Sequence, residues 1–189
     1  MQEFCNECNK MGITPEEPVP ATDEFISNAQ KQWYPDAPMK NIDKFTVENL
    51  SDGAKEVFKK PGIYAVTKPL KNMIANTFNG KSSVYFNPNM AFSSAKTLYL
   101  AMGHEFVHVS QYAALMGQSF NIYNSQFSDM LEFHAYSYQQ NVLGDDFNMT
   151  SFTPDMIRQY ARMPYFNDMS YTNFNWTGNT NFINPLIKK

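Results

Sequence analysis

The chain has 189 residues, 43% of them hydrophobic and 15% aromatic, which supports one cored domain and excludes a largely disordered chain. A net charge of −3 with no basic stripe on any segment excludes the electrostatic footprint of a nucleic-acid binder. No apolar run reaches the roughly 18 residues of a membrane span, and "MQEFCNECNK" has neither the basic start nor the apolar middle of a signal peptide, so the expectation is an intracellular chain or a domain of something longer.

Residues 1–20 are polar, and "TPEEPVP" predicts an extended lead-in to a single domain over 21–189. Cys5 and Cys8 form a lone C-x-x-C in that lead-in. A structural zinc site needs two more ligands, no second pair exists, and the expectation is a free or locally oxidised pair on a loose terminus. "TDEFISNAQKQW" predicts a short helix capped by Thr22 or Asp23, and "YPDAPMK" breaks it. "SDGAKEVFKKPG" predicts a second helix stopped by Pro61 and Gly62. "GIYAV" and "SSVYFNP" (82–88) predict strands, the latter closed by Pro88.

The longest helical signal follows, from about Ser93 to Met116, with no proline and with Gly117 as its stop. It is apolar nearly all round, so it is expected to be central and buried. Helices are also predicted from about Ser128 to Leu143, stopped by Gly144, and over "TPDMIRQYARMP", with Thr153 as cap and Pro154 at the first helical position. From Tyr165 the chain is rich in Asn and aromatics without a clear period, and no internal repeat is found.

"MGHEFVHVSQ" (102–111) holds two of the three histidines in the chain. Residues four apart on a helix face the same way, so His104 and His108 can aim two imidazole nitrogens at one metal ion. Glu105 lies about 100° round the helix from His104, within reach of a water on that ion. This is the H-E-x-x-H spacing of zinc metalloproteases. A structural histidine pair is the plain alternative, but it leaves unexplained a carboxylate on the most apolar helix, with no Lys or Arg within a helical turn. Zinc needs a third protein ligand, and Glu132 on the next helix is preferred. Asp129, near the start of that helix, is the alternative. His134 lies about 200° round the helix from Glu132, so the two cannot easily share an ion. Ala135, on nearly the same face as Glu132, and Gly103 beside His104 would let the helices approach closely.

These residues resemble the zincin metallopeptidases with two histidines and a glutamate as ligands, the gluzincin-like branch. The resemblance runs from "SSVYFNPNM" through "GHEFVHVSQ" to "EFHAYSYQ". It implies an α+β fold: a small sheet whose edge strand, placed at "SSVYF", packs on a central H-E-x-x-H helix, with a mainly helical C-terminal part. It also implies Zn2+ held by His104, His108 and Glu132, with Glu105 as general base on a water activated by the ion. The substrate would be a peptide or protein lying extended along the edge strand. The chain departs from well-known zincins in having Tyr136 four residues after Glu132, where an acid is common, and no fourth histidine for an oxyanion. Tyr136, Tyr160, Tyr165 and Tyr171 are the candidate donors for that role. "YLAMGHEFVHVSQ" with "LEFHAY" is also similar to metallopeptidase domains at the C-termini of bacterial Rhs-type toxins, which implies a secreted or delivered effector. Two other classes stay open: a zinc hydrolase of a non-peptide bond, and a non-catalytic binding module stapled by zinc. Intact Glu105 argues against the staple, which needs no base.

Overall fold

In the computed structural model, which describes residues 2–122 together with Ser128, Leu131, Glu132 and Ala135, the chain opens with a helix rather than an extended lead-in. Helix α1 spans Gln2–Lys10. Its sequence is polar, but Phe4 and Cys8 fall one turn apart on the same face, and both are buried. Phe4 packs on Trp33 and Tyr99, with ring centroids 5.6 and 4.3 Å away. Burial of two side chains therefore overrides the extended reading of residues 2–10. Cys5 and Cys8 are both unbonded thiols, and Cys8 belongs to the core rather than to a loose terminus. Burial pushes the Cys8 thiol up to about 11, so it stays protonated and packs as a small apolar group.

Helix α2 spans Asp23–Trp33. Of its two candidate caps, Thr22 takes the role and accepts from the Phe25 amide at 3.2 Å. Asp23 instead accepts from the Thr46 hydroxyl and from the amides of Val47 (2.7 Å) and Glu48 (3.2 Å). These three donors clamp the start of α2 to the end of the first strand. Helix α3, Asp52–Val57, follows with Ser51 as its cap, accepting from the Ala54 amide.

Three strands form one sheet: β1 (Ile42–Thr46), β2 (Ala65–Asn72) and β3 (Thr77–Phe86), in the order β1-β3-β2. β1 runs parallel to β3, while β2 runs antiparallel to it. The architecture is thus mixed α+β. Three expectations change here. "SSVYF" lies in β3, the central strand, and not at an edge; residues 82–86 are all buried, as a strand covered on both faces must be. The strand placed at "GIYAV" begins only at Ala65, because Gly62 turns the chain with φ 79°, and it continues through "TKPLKN". It tolerates Pro69 because β2 is the edge strand, and the ladder is irregular between Pro69 and Lys71. β1 was not anticipated; its residues "IDKFT" alternate poorly and carry two charges.

Helix α4, Ala95–Ala114, lies across β2 and β3. Ser94 caps it by accepting from the Thr97 amide at 3.0 Å. Residues 100–113 are buried without interruption, as expected of a helix apolar nearly all round. Leu98, Met102, Phe106, Val107 and Val109 join Val84 and Phe86 of β3 in the main core. Gly117 adopts φ 83° and donates its amide to Phe78 O of β3, which ends the helix against the sheet. Ser128, Leu131, Glu132 and Ala135 are helical, and at spacings of three and four they share one face. Leu131 packs on Phe78, Tyr112 and Leu115, and Ala135 joins the main core. The predicted helix over 153–164 and the rest of the C-terminal part lie outside the described residues.

Candidate metal centre

α4 supplies the first two groups of the site. His104 and His108 are one turn apart and buried at 8% and 5% exposure, with their Nε2 atoms 3.0 Å from each other. Glu132 completes the cluster from the next helical segment. Its Oε2 lies 3.2 Å from His104 Nε2 and its Oε1 3.4 Å from His108 Nε2. These three residues form the one group of metal-ligand type among the described residues, with all ligand atoms within 4.8 Å of one another.

The donor set and its spacing fit a tetrahedral ion. Bonds of about 2.0–2.1 Å to a tetrahedral centre place neighbouring ligand atoms about 3.3 Å apart. Here the two Nε2 atoms are 3.0 Å apart, and the Glu132 carboxylate approaches them at 3.2 Å through Oε2 and 3.4 Å through Oε1. Two Nε2 atoms facing each other are also a poor hydrogen-bonding arrangement once both rings are protonated, and a good one for two lone pairs sharing an ion. Glu132 keeps 37% of its side-chain surface exposed, against 10% and 6% for the histidines, so the cluster is open on the Glu132 side.

Glu105 is 5% exposed, and its Oε2 is buried without a hydrogen-bond partner among the described residues. Burial raises its pKa, against the lowering pull of His104, His108 and the Thr67 hydroxyl. An isolated buried carboxylate is costly unless something charged or polar comes to meet it. Thr67 of β2 lies against it and donates its hydroxyl to the Glu105 carbonyl oxygen at 3.3 Å. The edge strand and the H-E-x-x-H helix are therefore joined at the residue that carries the orphaned carboxylate.

Without an ion, the cluster holds protons. Burial opposes charge on His108, but the Glu132 carboxylate outweighs it and pushes the imidazole up to about 9. Burial likewise opposes charge on Glu132, yet the facing histidines hold its carboxyl well below the usual range. A metal ion would compete with these protons for the same atoms.

Two neighbours of the cluster had no place in the sequence reading. Gln111 is fully buried, with its Oε1 2.8 Å from His108 Nδ1 and its Nε2 2.9 Å from Leu131 O. Its signal was available: a buried amide three residues after His108, on the same face of an apolar helix. Thr67 sits in "AVTKP" with nothing local to mark it. Asp129, His134 and the tyrosines Tyr136, Tyr160, Tyr165 and Tyr171 lie outside the described residues. No family model, no curated protein and no solved structure matches this chain.

Proposed function

We propose that the chain is a zinc-dependent hydrolase of peptide bonds, with His104, His108 and Glu132 as ligands and Glu105 as general base. The observation that carries this reading is the cluster of two imidazole nitrogens 3.0 Å apart with a carboxylate at 3.2 and 3.4 Å, beside a buried carboxylate oxygen that has no partner among the described residues. A bound zinc ion would supply Lewis acidity and an acidified water at the open side of the cluster. Glu105 would take a proton from the attacking water at Oε2 and pass it to the leaving amine. Its raised pKa suits both halves of that task. β2, an edge strand among the described residues, rather than β3, would hold an extended peptide by main-chain hydrogen bonds, with Thr67 marking the stretch beside Glu105.

A peptide-library assay with zinc-loaded and chelated protein tests this. Cleavage should appear only with metal, and Glu132→Ala should lower zinc affinity and abolish cleavage together. Stoichiometric zinc with no peptide cleaved would favour a non-peptide substrate. Undiminished zinc in Glu132→Ala would remove Glu132 from the ligand set. The resemblance to Rhs-type toxin domains adds a setting, that of a peptidase domain delivered from a larger bacterial secreted protein. Expression of the wild-type chain inside a susceptible cell should then slow growth while Glu105→Gln is tolerated. Equal growth with both, at equal levels of zinc-loaded protein, would count against the toxin setting alone.

A further inference from the structure

Gln111 touches the cluster through one ligand and the chain of another. Its amide nitrogen donates to the Leu131 carbonyl at 2.9 Å, the peptide unit adjoining Glu132. That donation fixes which end of the amide is oxygen. Oε1 must therefore face His108 Nδ1, 2.8 Å away. An amide oxygen can only accept, so Nδ1 must carry the proton and donate. In the neutral ring, the lone pair then sits on Nε2, the atom that faces His104 Nε2 and Glu132 Oε1. The amide is fully buried, so water does not stand in for either bond.

We infer that Gln111 is a positioning residue that sets two metal ligands at once: it locks the imidazole of His108 with its Nε2 lone pair toward the metal, and it fixes the backbone beside Glu132 against α4. This inference rests on the metal reading above. It goes beyond the H-E-x-x-H motif, which ends at His108 and assigns nothing to the residue three further on. The bond to Leu131 spans 20 residues of sequence and joins the two segments that supply ligands. Loss of a partner of this kind typically lowers metal affinity 10–100-fold.

The test uses the full chain and zinc itself. Zinc affinity is measured by chelator competition for wild type, Gln111→Met, Gln111→Glu and Ser110→Ala, beside the melting temperature of each metal-free form. Ser110 is the control because it is buried on the same helix, yet among the described residues its hydroxyl bonds the Phe106 carbonyl, at 3.0 Å, and not the cluster. Gln111→Met keeps the length and loses both bonds, and zinc affinity should fall 10–100-fold. Gln111→Glu keeps an acceptor for Nδ1–H but loses the bond to Leu131, so its zinc affinity should lie between those of wild type and Gln111→Met; affinity equal to either one overturns half of the inference. Ser110→Ala should bind zinc as wild type does. A two-bond proton–nitrogen spectrum of the zinc-loaded wild type should show His108 coordinating through Nε2, with a slowly exchanging proton on Nδ1. Coordination through Nδ1, or wild-type affinity in Gln111→Met, overturns the inference. So does a loss in Gln111→Met that Ser110→Ala matches at equal thermal destabilisation. A wild-type chain that takes up no zinc overturns the parent reading, and this inference falls with it.

Discussion

At the scale of single residues, Glu105 is the most informative. Among the described residues it lies on the most buried helix, its Oε2 has no partner, and it stands beside two histidines. Glu105→Gln preserves its shape but cannot accept a proton. Turnover should fall by about 10²–10⁴-fold or more, while zinc binding is retained. The same substitution removes a charge that burial disfavours, so the metal-free variant should melt no lower than wild type. Near-normal turnover would take Glu105 out of the mechanism, and a markedly lower melting temperature would mean that its carboxylate has a partner that stabilises the fold. His104, Glu105 and His108 were legible in the sequence because a helix converts a spacing of four into a shared face. Glu132 was legible as an acid on the next helical stretch. Gln111 was not singled out because an amide carries no charge signature, and its role depends on a carbonyl 20 residues away.

At the scale of elements, legibility followed the length and uniformity of the pattern. α4 could be read because its apolar run is long, free of proline, capped by Ser94 and ended near Gly117. β3 could be read as a strand but not placed in the sheet, since strand order is set by pairings distant in sequence. β1 was hidden by Asp43 and Lys44, which project from an edge strand whose inner contacts come mainly from Phe45 and Thr46. α1 was hidden because, among its described side chains, Phe4 and Cys8 are the buried ones and the rest of the helix is polar or half-exposed. If α1 is part of the core, Phe4→Ala should cost about 3–5 kcal/mol, the range for emptying a buried aromatic site. Chemical denaturation of the metal-free protein checks this. A loss under about 1 kcal/mol would mean that α1 docks weakly.

For the whole molecule, the cluster links stability to pH and to metal in opposite directions. In the metal-free chain, His108 rises from an unfolded value of 6.5 to about 9. Its contribution to stability is therefore complete below 6.5 and is lost as pH rises through 9. Glu132 is shifted downward, so its contribution is present above its unfolded value of 4.5 and is lost as pH falls. Glu105, raised by burial, contributes most below its ordinary value of 4.5 and loses that contribution as pH rises above it. Zinc needs neutral histidines, so its affinity should climb over the window from 6.5 to about 9 in which the metal-free fold weakens. Thermal melts of chelated and zinc-loaded protein should therefore draw apart as pH rises through that window. A gap that stays constant would show that zinc and the His108 proton do not share an atom.

The edge strand has a consequence for how the protein behaves at high concentration. β2 is an edge strand among the described residues, and an edge strand is where other copies of the same chain can add, the usual start of stacked-strand aggregation. On β2, Pro69 interrupts the row of backbone donors, the ladder is irregular between Pro69 and Lys71, and Lys68 and Lys71 flank the break. The uninterrupted stretches on either side are shorter than the roughly six- or seven-residue segments that template fibrils. Like charges would also meet wherever two such edges lay side by side. β2 is therefore a poor surface along which the molecule could polymerise, even where its backbone passes next to Glu105.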